Sequence, residues 1–126
     1  MDEAFETGMA TRREVLGDEH VERATAAAGQ FGRPFQEFIT RYAWGGPWSR
    51  PGLDRRMRSA VTLAALVSVR AENELGMHVR AALGNGLTAE EIGEVLLHTA
   101  IYAGVPAANA AFAVARRVLR EEGAVK

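Results

Sequence analysis

The chain has 126 residues, 15 basic and 16 acidic groups, a formal net charge of −1, 48% hydrophobic residues and no cysteine. This size reads as one ordinary domain over residues 1–126 with a modest core, and near-neutral charge without a basic tail argues against a dedicated nucleic-acid binder. Apolar runs are too short for a membrane span, the acidic start (Met1 to Glu6) is unlike a secretory signal, and without cysteine there are no disulfides, thiolate nucleophiles, thiolate metal sites or iron–sulfur clusters, so a soluble cytoplasmic protein is expected.

In chain order the sequence reads as helices and loops. Alanine, the best helix former, supplies 23 residues, and no run alternates polar and apolar residues between hairpin turns. A first helix is expected from about Asp2 to Leu16, stopped by Gly17, with Asp18 capping a second from Glu19 to about Ala28. Pro34 is placed as the first-turn proline of a third helix ending near Trp44. The stretch from Gly45 to Gly52, with its paired glycines and two prolines, forbids continued helix.

A fourth helix is expected from about Asp54 to Ala71, and a fifth from about Asn73 to Leu83 with Asn85-Gly86 as a left-handed stop. Whether the chain breaks between the fourth and fifth is open from the sequence. Thr88 and Glu91 form a capping box for the sixth, whose apolar stripe is Ile92, Val95, Leu96, Thr99 and Ala103. Gly104-Val105-Pro106 breaks it before a final helix running to about Glu122. The expectation is an all-α domain of about six to seven helices.

The residue types left for chemistry are few. Fourteen of the 15 basic residues are arginine, and Lys126 is the single lysine, so a desolvated interior lysine for Schiff-base chemistry does not exist. No GxGxxG, Walker loop, GxSxG or HExxH occurs. Glu74 and His78 stand at i and i+4, a spacing that brings a carboxylate within reach of an imidazole and suits a general acid or base; an ordinary surface pair has the same spacing. His98 has Glu94 and Tyr102 four residues to either side at the edge of the apolar stripe, where a core-edge histidine would also fit. Glu74, His78 and His98 could in principle make a two-histidine, one-carboxylate metal set, although only the first two are a local pair. His20 lies in an acidic amphipathic segment and reads as solvated.

Between Phe31 and Arg58 there are six arginines (33, 41, 50, 55, 56 and 58) against only Glu37 and Asp54. The guanidinium fork matches a carboxylate, so Arg50, Arg55 and Arg58 with the wall of Trp48 could hold a small dianion. The bland reading is a set of surface arginines paired with acids elsewhere. The Trp44-to-Trp48 stretch fits an interface anchor equally well.

At these residues the chain resembles the gamma-carboxymuconolactone decarboxylase family, whose members share an all-helical fold with the alkylhydroperoxidase-like proteins. The matching pieces are Arg12-Arg13-Glu14-Val15-Leu16-Gly17 with His20-Val21, Trp44-Gly-Gly-Pro-Trp48-Ser-Arg50-Pro51-Gly52-Leu53, and Arg56-Met57-Arg58-Ser59. They continue with Glu74-Leu75-Gly76-Met77-His78, Thr88 to Ile92, and His98 to Pro106. The peroxidase branch carries Cys-x-x-Cys followed by a histidine four residues on. Here Ala71 and Glu74 occupy the two cysteine positions before His78, which excludes hydroperoxide reduction.

The resemblance implies that 4-carboxymuconolactone loses CO2 to give 3-oxoadipate enol-lactone, in the protocatechuate branch of aromatic degradation. The departing carboxyl sits on a ring carbon allylic to the unsaturated lactone carbonyl, so the electron pair can flow into that carbonyl and no cofactor or metal is needed. On this reading Glu74 and His78 transfer the proton, and His98 assists as oxyanion donor or second acid. Arg50, Arg55 and Arg58 hold substrate carboxylate, while Trp48 and Tyr102 line the pocket. The expected partners are a small lactone dicarboxylate and further copies of the chain, as a trimer or hexamer. The alternatives are a cofactor-free enzyme of the same fold on another lactone, a non-catalytic oligomeric binding protein, and a metal-dependent enzyme.

Overall fold

The computed structural model describes residues 2–126, which are helical apart from short connections and contain no strand. The chain divides into two compact units, one ending at Leu53 and one from Asp54 to Lys126.

In the first unit, α1 (Glu3–Leu16) begins at Asp2, whose carboxylate accepts the Phe5 N–H at 2.9 Å, and it stops at Gly17, where φ is 91°. Its buried face is Gly8, Thr11, Arg12 and Val15, a spacing of three and four residues that makes one stripe of a helix. The expected second and third helices are joined as α2 (Asp18–Ile39), kinked at Gly29 with φ 59° and ψ −160°. The break therefore falls on the glycine, which tolerates that backbone, and Pro34 lies inside the second half instead of opening it. Asp18 is not the cap either: it starts the helix and takes an ion pair from Arg13 at 3.2 Å, while Gly17 caps.

Residues Thr40–Trp44 form a π turn in which the Gly45 N–H reaches the Thr40 carbonyl at 2.8 Å. A Cβ on Gly8 would collide with the Thr40 carbonyl oxygen, and one on Gly45 would meet the Ala4 and Arg41 carbonyl oxygens. These two glycines let the backbones of α1 and the turn touch. The unit ends in a 3-10 turn over Pro47–Ser49 and an extended Arg50.

In the second unit, α3 (Arg55–Ser68) starts at Asp54, whose side chain accepts the Met57 N–H at 2.8 Å. It ends three residues earlier than expected because Arg70 adopts φ 62°, a left-handed residue that separates α3 from α4 (Glu72–Gly84). The capping box at Thr88 and Glu91 opens α5 (Ala89–Ala103) as expected, and Gly104 with φ 99° turns the chain into α6 (Val105–Glu121). The core of this unit is Leu63, Val67, Leu75, Val79, Ile92, Leu96 and Val118, packed against the alanine stripe of α6 at 107, 111 and 115. Full burial of each large member is worth about 1.5–3 kcal/mol. Among the described residues no helix is long and apolar enough to cross a membrane.

Candidate active site

The residues singled out from the sequence fall in both units. Trp48 and Arg50 belong to the first; Arg55, Arg58, Glu74, His78, His98 and Tyr102 belong to the second.

In the first unit the tryptophan loop is held from within. Trp48 stacks on the buried Trp44 with ring centroids 5.0 Å apart and 26° between planes. Ser49 donates to the Trp44 carbonyl at 2.5 Å and shares a 2.8 Å hydrogen bond with Thr11 on α1. This stacking withdraws part of Trp48 from solvent and leaves Arg50 exposed at the end of the turn.

In the second unit Arg55 and Arg58 share the first turn of α3, and both are half-buried. Arg56, between them, is used for structure: it forks onto Glu91 with two contacts of 2.7 Å and also donates to the Gly86 carbonyl at 3.2 Å. Arg41 pairs with Asp2 at 2.8 Å and Arg33 with Glu37 at 3.7 Å. Half of the arginine-rich segment, Arg33, Arg41 and Arg56, is thus committed to structural ion pairs.

His78 lies on the inner face of α4 beside Leu75 and Val79 and is buried. Glu74, one turn earlier, is exposed, and no hydrogen bond or ion pair joins it to another described residue. The expected Glu74–His78 contact is therefore not closed: at the start of α4 the shorter route for a carboxylate is into water, while the imidazole rotates toward the core. His98 and Tyr102 do meet, with ring centroids 5.5 Å apart and 41° between planes, at the exposed end of α5. Glu74, His78 and His98 do not come together as ligands; among the described residues no group of three or more His, Asp or Glu could hold a metal ion.

Two cavities are formed by other residues. One, of about 540 Å³, lies in the first unit between α1 and α2, around Arg12. The other, of about 290 Å³, lies in the second unit against Ile92 and Phe112. Arg12 stands out in the sequence only through the family motif, yet its spacing carries a signal for burial. Gly8, Thr11, Arg12 and Val15 follow helical spacing, which puts the charge on the inner face of α1.

The sequence pattern of the carboxymuconolactone decarboxylase family matches residues 33–117. The chain is 46% identical over 122 residues to 4-carboxymuconolactone decarboxylase of Acinetobacter baylyi, covering 97% of this chain and 91% of that one. It is 45% identical over 117 residues to nitrosuccinic acid decarboxylase npaB of Metarhizium robertsii, covering 93% and 82%. A 41-residue stretch is 49% identical to 4-carboxymuconolactone decarboxylase of Pseudomonas putida, covering 32% of this chain and 85% of that one. With a family match across most of its length and these relatives beside it, the chain belongs to the carboxymuconolactone decarboxylase family.

Proposed function

We propose that this chain decarboxylates 4-carboxymuconolactone to 3-oxoadipate enol-lactone and CO2 without a cofactor. The observation that carries the reading is the 46% identity over nearly the whole chain to the Acinetobacter baylyi enzyme of that name. The chemistry suits the residues. Loss of CO2 sends an electron pair through the ring double bond into the lactone carbonyl, and protonation of a ring carbon completes the enol-lactone. The protein must grip the retained carboxylate, stabilise charge on the lactone oxygen and deliver one proton.

Arg55 and Arg58 on α3, and Arg50 after the tryptophan turn, are assigned the carboxylate. His78, the buried imidazole on the inner face of α4, is assigned the proton. Glu74, on the preceding turn of α4, is assigned as its partner in the proton transfer, and His98 would donate to the lactone oxygen with Tyr102 and Trp48 as walls. Assembly is part of the same proposal. Leu97, Ile101, Tyr102 and Val105 form an exposed apolar face around His98, which suits a site near a subunit boundary in a trimer or hexamer. Residues 1–126 acting as one functional domain, cytoplasmic location and a place in protocatechuate breakdown complete the reading.

A second substrate follows from the similar identity to nitrosuccinic acid decarboxylase. A nitro group, like an unsaturated lactone, can receive the electron pair released with CO2. The test is to strip the purified protein of metal and supply 4-carboxymuconolactone or nitrosuccinic acid, following CO2 release. Rapid turnover of the lactone alone is the expected result. Preference for nitrosuccinic acid would reassign the substrate, and no turnover of either by folded protein would refute the decarboxylase reading.

A further inference from the structure

Among the described residues Arg12 is a buried charge without a counterion. Its side chain is 3% exposed, although it stands in a helix near the chain's start. Its Nη1 donates to Thr40 Oγ1 at 3.1 Å and its Nη2 to Gln36 Oε1 at 2.8 Å, both neutral acceptors. Nε is buried with no hydrogen-bond partner among the described residues. No acid is within ion-pairing distance of it among those residues. Glu37, the acid on the cavity wall, is taken by Arg33 at 3.7 Å. Burial, with repulsion from Arg13 adding to it, pushes the Arg12 pKa below the usual arginine value.

A guanidinium has five N–H bonds, and an uncompensated one in a dry place costs several kcal/mol. Among the described residues the Arg12 guanidinium thus meets only neutral acceptors. Beside Arg12 the cavity of about 540 Å³ is walled largely by apolar groups, among them Phe5, Met9, Ala26 and Ala28. A carboxylate would supply the missing charge and match the fork, and an apolar skeleton would fill the rest.

We propose that this cavity of the first unit binds a small organic carboxylate, with Arg12 as its anchor. The ligand class is a mono- or dicarboxylic acid of small cyclic or aliphatic skeleton. Two sources share that chemistry: the retained carboxylate of the enzyme's own substrate, or a separate organic acid acting as an effector. The proposal does not depend on the decarboxylase reading, because binding is its readout.

The experiment is calorimetric titration of the full-length protein with adipate and with benzoate, using benzyl alcohol as the uncharged control. The expected result is binding of at least one carboxylate and none of the alcohol, with affinity falling roughly tenfold or more in Arg12→Met. Should that variant fail to fold, Met9→Trp carries the same expectation, since it fills the cavity and leaves the guanidinium in place. Absence of binding by wild-type protein up to about 10 mM ligand, or equal binding by wild type and the variants, overturns the proposal. So does Arg12→Met dissociating the assembly while wild type binds no acid, because the counterion would then come from another copy of the chain. Competition between the bound acid and the decarboxylation substrate identifies the first source. Binding without competition identifies the second.

Discussion

Arg56 and Glu91, 35 residues apart in the chain, meet in a two-pronged ion pair with both contacts at 2.7 Å. The same carboxylate accepts the Thr88 N–H at 3.0 Å, so one side chain closes the capping box of α5 and ties α3 to it. Hydrogen bonds from Arg56 first, then from the Thr88 backbone, hold Glu91 down at a pKa of about 2 against an ordinary 4.5.

A carboxyl depressed in the fold binds its proton more readily when unfolded. Its contribution is therefore complete above about pH 4.5 and is lost as the pH falls through that value toward about 2. Urea unfolding at pH 6 and at pH 3 should show a smaller acid loss in Glu91→Gln than in wild type. An identical loss would mean that the pair does not contribute to acid sensitivity. Thr88→Ala, which removes the cap, should cost about 1 kcal/mol at either pH.

Gly8 is packed where α1 crosses the π turn, and its missing Cβ is the space taken by the Thr40 carbonyl. Gly8→Ala should lower stability by about 1–3 kcal/mol, through forced separation of two backbones. Gly93, in the middle of α5 with open space at its Cβ position, is the contrast: Gly93→Ala should stabilise by roughly 0.5–1 kcal/mol. Thermal unfolding of the two variants checks the pair. Similar shifts in both would contradict the close-approach account.

His78→Gln should cut turnover about 10²–10⁴-fold with the fold intact, as expected for loss of a proton donor. Glu74→Gln should cost less, because the Glu74 side chain is exposed and no hydrogen bond or ion pair joins it to His78. Steady-state rates with circular dichroism on both variants are the measurement. Near-normal turnover in His78→Gln would remove that residue from the mechanism.

Arg58 is half-buried in the first turn of α3. Arg58→Met should raise KM roughly tenfold with kcat less affected, the signature of a grip on the retained carboxylate. A fall in kcat alone would instead place Arg58 at the departing carboxyl.

The helical class, the capping box at Thr88, the stop at Gly104 and the family likeness were legible in the sequence, because each rests on local chemistry or short spacing. Gly17 announces the end of α1 in the same way, whereas the kink at Gly29 falls just after the expected helix end near Ala28, and the sequence places the start of the next segment at Pro34. Which arginine pairs with which acid was not legible. Arg55, Arg56 and Arg58 look alike in a string, and only the approach of α5 brings Glu91 to Arg56. Likewise the spacing of Glu74 and His78 permits a contact that the core does not make, since the imidazole turns inward while the carboxylate stays in water.

Local residue order thus determined the helices and the available chemistry of this protein: arginine, histidine and carboxylate, with no thiol and no interior lysine. Tertiary packing decided which charges are spent on structure and which remain. Arg12 shows the difference most plainly: helical spacing places it on the inner face of α1, but only tertiary packing decides that the neutral side chains of Thr40 and Gln36 meet its guanidinium.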